Sequence, residues 1–93
     1  MAGIKRSAKM KFSILVEVQL LEGISDPAGA TIERALPVLG YQGICDVSVG
    51  KTIRFTLEAT DLSHAKEISE QLCSSFLTNP VIEESKITIE ELS

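Results

Sequence analysis

Along Phe12–Leu20 every even position is apolar (Phe12, Ile14, Val16, Val18, Leu20), whereas Ser13, Glu17 and Gln19 fall on the alternate face. A period of two is that of an extended chain with one buried side, so the stretch predicts a strand. Leu15 and Leu21 interrupt the polar side and are candidates for burial against another subunit, together with Ile44. After Asp26-Pro27 the period becomes helical: Ala28, Ile32, Ala35, Leu36 and Leu39 make one stripe, expected to lie on the sheet. Asp26 can accept from the first free N–H groups of that helix, and Pro27 suits its first position because its missing N–H would be unpaired there. Pro37 removes a hydrogen bond to the Glu33 carbonyl, an interior cost of about 3 kcal/mol. It falls opposite the stripe, so a kink or a tightened last turn is expected, closed by Gly40 in the left-handed conformation.

The second half alternates again. Cys45, Val47 and Val49 oppose Asp46 and Ser48, and Ile53, Phe55, Leu57 and Ala59 oppose Thr52, Arg54, Thr56 and Glu58. With Gly50-Lys51 between them, the two runs read as a β-hairpin whose turn uses a positive φ at Gly50. Asp61 or Ser63 can cap a second helix with Ala65, Ile68, Leu72 and Phe76 inward and Leu62 and Cys73 at the flank. Asn79-Pro80 stops it, and a short strand at Lys86–Glu90 follows. The order β-α-β-β-α-β predicts an α+β, ferredoxin-like domain, with a four-stranded antiparallel sheet and two helices on one face.

Composition narrows the function. The chain has 93 residues and no repeat, which suits one domain over 12–93 behind a flexible basic arm, 1–11, carrying Lys5, Arg6, Lys9 and Lys11. A core of this size is modest, so association with a second copy or another subunit is expected. A net charge of −4 argues against nucleic acid as a partner. The same element order occurs in RNA-recognition domains, but the strand aromatics here, Phe12 and Phe55, lie on core faces. No stretch approaches the roughly 20 apolar residues that cross a bilayer, and no cleavage site follows Phe12–Val16. Cys45 and Cys73 lack framework or CxxC spacing, which points to reduced thiols in the cytoplasm.

Candidate chemistry is sparse. Gly50-Lys51-Thr52 imitates the end of a phosphate loop, but Cys45 stands where the first glycine belongs and a strand, not a helix, follows. His64 has no nucleophile assignable to it, and with Cys45 and Cys73 it shows no metal-ligand spacing. Glu83-Glu84 and Glu90-Glu91 are neighbours that point to opposite faces of a strand, which suits solvated charge better than acid–base work.

Three motifs, Asp26-Pro27-Ala28-Gly29, Asp46-Val47-Ser48-Val49-Gly50-Lys51 and Asn79-Pro80-Val81-Ile82-Glu83, occur in an order and spacing that resemble the PurS family, the small subunit of phosphoribosylformylglycinamidine synthase. The likeness runs from about Lys11 to Glu91, with two departures: the family commonly has Gln where Ala28 stands and Arg where Ser48 stands. The resemblance implies a non-catalytic subunit of a carbon–nitrogen ligase of purine biosynthesis, with no catalytic, cofactor or metal residues on this chain. ATP and Mg would sit on the large PurL-type synthetase subunit, and ammonia would come from a PurQ-type glutaminase subunit. It further implies a homodimer, or a tetramer, placed between those two. Asp26, Pro27, Gly29, Gly50, Lys51, Asn79, Pro80 and Glu83 are the candidates for shaping partner contacts. The alternative is a dimeric amino-acid sensor resembling the ACT type, in which Gly23 and Gly29 would let a ligand approach the backbone.

Overall fold

The computed structural model describes residues 9–92. The elements are β1 (Met10–Leu20), α1 (Pro27–Val38), β2 (Lys51–Ala59), α2 (Leu62–Leu72), continued by one π-helical turn over Cys73–Leu77, and β3 (Glu83–Glu91). β1 includes Met10 and Lys11, so the end of the predicted arm belongs to the sheet, and residues 1–8 lie outside the described ones. The sheet is antiparallel, in the order β2-β1-β3.

β1 is central because its even positions are apolar without exception. Opposed residues of antiparallel strands share a face, and Ile14 stands opposite both Phe55 and Ile89, Val16 opposite both Ile53 and Ile87. Phe12, Ile14 and Val16 are fully buried, while Ile53, Phe55, Leu57, Ile87 and Ile89 on the flanking strands are only half-buried. α2 covers this face with Ala65, Ser69 and Cys73. Its N-cap is Asp61, whose Oδ1 accepts from the His64 N–H at 2.8 Å, as one of the two expected caps. The buried Ser69 hydroxyl donates to the Ala65 carbonyl at 2.8 Å, and among the described residues no buried side-chain polar atom is left unpaired.

The predicted inward position of Phe76 is wrong: its side chain is 81 % exposed. The π-turn is the reason. The Thr78 N–H donates to the Cys73 carbonyl five residues back, so the turn holds one extra residue and brings Leu77 onto the face that a regular helix would give to Phe76.

Three expectations about the first half are also corrected. The sheet has three strands, not four, because residues 44–49 stand outside it. No hairpin turn occurs at Gly50-Lys51: Gly50 has no positive φ, and the chain runs straight from Val49 into β2. The α1 stripe does not lie on the sheet, so only one helix covers it. Ile32 is 44 % and Leu39 68 % exposed, and α1 makes no extensive contact with any strand. The helix itself is built as its sequence dictates. Asp26 caps it, Pro27 opens it, and the last turn tightens around Pro37, with the Leu39 N–H shared between the Ala35 and Leu36 carbonyls. Gly40, at φ +97°, then closes it, the Tyr41 N–H reaching the Leu36 carbonyl and the Gly40 N–H that of Pro37.

α1 and residues 44–49 therefore form an arm that projects beyond the end of the sheet. The radius of gyration is 18.7 Å, against about 12 Å for a spherical domain of this length.

Candidate functional site

The arm is held together by two carboxylates of α1. Asp26 Oδ1 accepts from the Gly29 N–H at 2.9 Å, the expected cap, and Asp26 Oδ2 accepts from the Val49 N–H at 2.9 Å. Two turns further on, Glu33 Oε1 accepts from the Val47 N–H at 3.0 Å. Alternate residues of an extended segment send their N–H groups to the same side, so two acidic side chains along one helix face satisfy two of them. The approach is close enough to require glycine at 29. Gly29 is buried, and a Cβ there would collide with the Val47 carbonyl oxygen. Of the two glycines on which the amino-acid sensor alternative rests, Gly23 stands open, but the space beside Gly29 is filled by the chain's own backbone.

The backbone N–H groups of Gly29, then Val49 and Ala28, hold the Asp26 carboxyl below its ordinary value of 3.8. A depressed folded-state value means that this contribution is fully present above the unfolded-state value and lost as pH falls through the folded one. The expected result is acid release of the arm below about pH 4, seen as exchange broadening of the Val49 amide in an NMR titration. In Asp26→Asn that acid step should vanish, since the NH2 that replaces one carboxylate oxygen donates and cannot accept the N–H that oxygen held, and the amide does not titrate in this range. An unchanged profile in the variant would assign the step to another group.

Gly50 comes next. A Cβ on it would lie 2.6 Å from the Val18 carbonyl oxygen, so glycine serves a close backbone approach here and not a turn. Lys51 Nζ, on a half-exposed side chain, is 3.9 Å from Oε2 of the mostly covered Glu83, a pair worth about 0–1 kcal/mol. The other Glu83 oxygen, Oε1, accepts from the Asn79 N–H at 2.8 Å, and Asn79 Oδ1 accepts from the Val81 N–H at 3.2 Å. The turn before β3, which contains Pro80, is thereby closed on itself and tied to β1 through the Leu21 N–H and the Ile82 carbonyl at 2.8 Å. Beside it lies an open depression of about 440 Å³ lined by Glu17, Gln19, Lys51, Thr52, Glu84 and Lys86.

The three motifs therefore meet at one end of the sheet. Asp26, Pro27 and Gly29 join Val47 and Val49; Gly50 rests on β1; Lys51 reaches Glu83, which holds Asn79. Glu33 belongs to this corner and was missed as a site residue, although its place seven residues after Asp26 puts it on the same helix face two turns on. The predicted intersubunit residues do not form one patch. Leu15 is half-buried on the second sheet face between Arg54 and Thr88, Leu21 sits at the end of β1, and Ile44 is 48 % exposed in the arm. Cys45 is an exposed and Cys73 a buried free thiol. Among the described residues no group of His, Cys, Asp and Glu is arranged to hold a metal ion, and no helix is long and apolar enough to cross a membrane.

Fold and corner define a small α+β domain whose motif residues hold its own backbone in a projecting shape. Residues 13–91 match the sequence profile of the PurS family, described as phosphoribosylformylglycinamidine (FGAM) synthase. A PurS subunit of that synthase from Methanothermobacter thermautotrophicus is 37 % identical over 83 residues, covering 89 % of this chain and 98 % of the relative. The subunit from Mycobacterium leprae is 43 % identical over 76 residues, covering 82 % and 92 %. Among solved structures, PurS of Methanocaldococcus jannaschii superposes with a TM-score of 0.78 at 32 % identity, covering 88 % of this chain and 99 % of that one. A chain of the PurLQS structure from Thermotoga maritima does so with a TM-score of 0.75 at 34 % identity, covering 88 % and 98 %. This chain belongs to the PurS family.

Proposed function

We propose that this chain is the small, non-catalytic subunit of a phosphoribosylformylglycinamidine synthase in de novo purine biosynthesis. It bridges a PurL-type synthetase subunit, which binds ATP and Mg, and a PurQ-type glutaminase subunit, and so supports delivery of ammonia between them. The assembly converts formylglycinamide ribonucleotide, glutamine and ATP to formylglycinamidine ribonucleotide, glutamate, ADP and phosphate, in the cytoplasm. The observation that carries this reading is similarity along nearly the whole length of PurS chains, one of them in a PurLQS assembly. The polar corner supports it, because its acidic and amide groups are engaged with backbone and give shape to a surface. A second copy of the chain is part of the same reading.

Reconstitution tests it. With purified synthetase and glutaminase subunits, glutamine-dependent product formation should require this chain, while synthesis from added ammonium salt by the synthetase should depend on it much less. Full glutamine-dependent activity of the other two subunits alone would overturn the assignment.

A further inference from the structure

β3 is an edge strand whose outer side is bare. The Leu92 N–H reaches the Lys11 carbonyl and the Leu21 N–H the Ile82 carbonyl, so the even residues of β3 bond to β1. Backbone groups alternate in direction along a strand, and those of Glu83, Ser85, Ile87, Ile89 and Glu91 are therefore turned outward. Among the described residues no strand lies beyond them. β3 keeps its register with β1 without a bulge and contains no proline, so nothing in its backbone closes the edge. We infer that this edge takes an extended segment of another subunit of the synthase as a further strand, one with Lys or Arg at both ends and alternate apolar side chains between them. This rests on the proposed function and specifies a surface through which the chain holds a partner.

A groove of about 580 Å³ accompanies the edge, between α2 and β3. Ile87 and Ile89, both half-buried, give it an apolar lining together with Cys73, and Lys66 and Glu70 line it from the helix. The side chains of Ile87 and Ile89 lie on the apolar face, since Ile87 stands opposite Val16 and Ile89 opposite Ile14. An added strand would continue that face about 4.8 Å outward, with every second side chain on the groove side. Backbone bonds to the odd residues of β3 would then hold the segment, and the groove would select its alternate side chains.

Charge decides the occupant. β3 reads Glu-Glu-Ser-Lys-Ile-Thr-Ile-Glu-Glu, acidic at both ends with one lysine between. A second β3 paired with it about a two-fold axis at Ile87 would set Glu83 opposite Glu91 and Glu84 opposite Glu90, like charges in direct opposition. The strand is thus built against pairing with its own copy, and the same charges favour a segment that carries cations at both ends. Glu83 is already engaged with Asn79 and Lys51, and Glu84 with Gln19. Glu90 and Glu91 are exposed, so the main attraction falls at that end. Apolar residues in the middle of the segment would meet Ile87 and Ile89.

The test is amide hydrogen exchange on the full chain, alone and with the purified synthetase and glutaminase subunits. In the chain alone the Ser85, Ile87 and Ile89 amides should exchange fast and the Lys86 and Thr88 amides slowly. In the assembly the first three should slow about 100-fold or more. Ser85→Pro removes a donor that points outward and spares the bonds to β1, so circular dichroism should stay unchanged while the dissociation constant for the partner subunit, from titration calorimetry, rises about 10-fold or more. The double variant Glu90→Lys, Glu91→Lys should weaken binding too and flatten its dependence on salt. Slow exchange of the three amides in the chain alone would overturn the inference and give the edge to another copy or to residues 1–8. An active, glutamine-dependent assembly in which these amides stay fast, or in which Ser85→Pro binds undiminished, would overturn edge docking and leave the synthase assignment standing. No binding to either subunit would overturn both.

Discussion

Replacing Phe12 by alanine is expected to lower folding stability by about 3–5 kcal/mol, which for a chain of this size is a large part of a total of about 5–14 kcal/mol. Phe12 is fully buried in the central strand, between Leu57 of β2 and the end of β3, and α2 closes the same face. The cavity cannot collapse easily, because strands bonded on both sides hold the backbone of β1 in place. Urea unfolding followed by circular dichroism measures the loss. The matched control is Phe76→Ala, which is expected to change stability by no more than about 0.5 kcal/mol because the ring is 81 % exposed. Equal losses in the two variants would mean that Phe76 is buried in solution and that the π-turn does not set the register of the helix end.

The second large effect has the opposite sign from what a helix alone would give. Glycine to alanine inside an exposed helix ordinarily gains about 1 kcal/mol, yet Gly29→Ala is expected to cost about 1–3 kcal/mol by overpacking. The added methyl would meet the Val47 carbonyl oxygen, which is backbone, and would lie 2.9 Å from the Asp26 carboxylate, so neither neighbour can yield without breaking the seam between α1 and the extended segment. Since the arm makes no extensive contact with any strand, the loss should be local. Amide exchange at Val47 and Val49 should accelerate about 10- to 100-fold, while the amides of β1 keep their protection. Uniform acceleration would show that arm and sheet open together. Unchanged exchange at Val47 and Val49 would show that the close approach at Gly29 is not held in solution.

Much of the corner was legible as chemistry. Asp26 as a cap, Pro27 as the first helical residue and Gly40 as the stop follow from local backbone demands, which a few consecutive residues express. The second bond of Asp26, to Val49, was not legible. It joins residues far apart along the chain, and nothing in the cap pattern says which oxygen remains free or what it meets. Gly50 suggests a turn because glycine before lysine between two alternating runs commonly is one. The overlooked signal was parity: the apolar positions stay odd on both sides of Gly50, as a straight strand requires and a two-residue turn forbids. Phe76 was misplaced because a π-turn has no clear sequence signature and shifts every later position by one residue.

The sequence by itself determined the central strand, both helix starts and the family, because these depend on alternation, caps and motif order that are written locally. Whether the first helix would lie on its own sheet was decided by tertiary structure alone. A stripe of Ile32, Leu36 and Leu39 records that a helix needs an apolar surface, not whose surface that is. The straight path through Gly50, pinned by Asp26, Glu33 and the register of Lys51 with Val18, carries that stripe out of reach of the face it would otherwise cover.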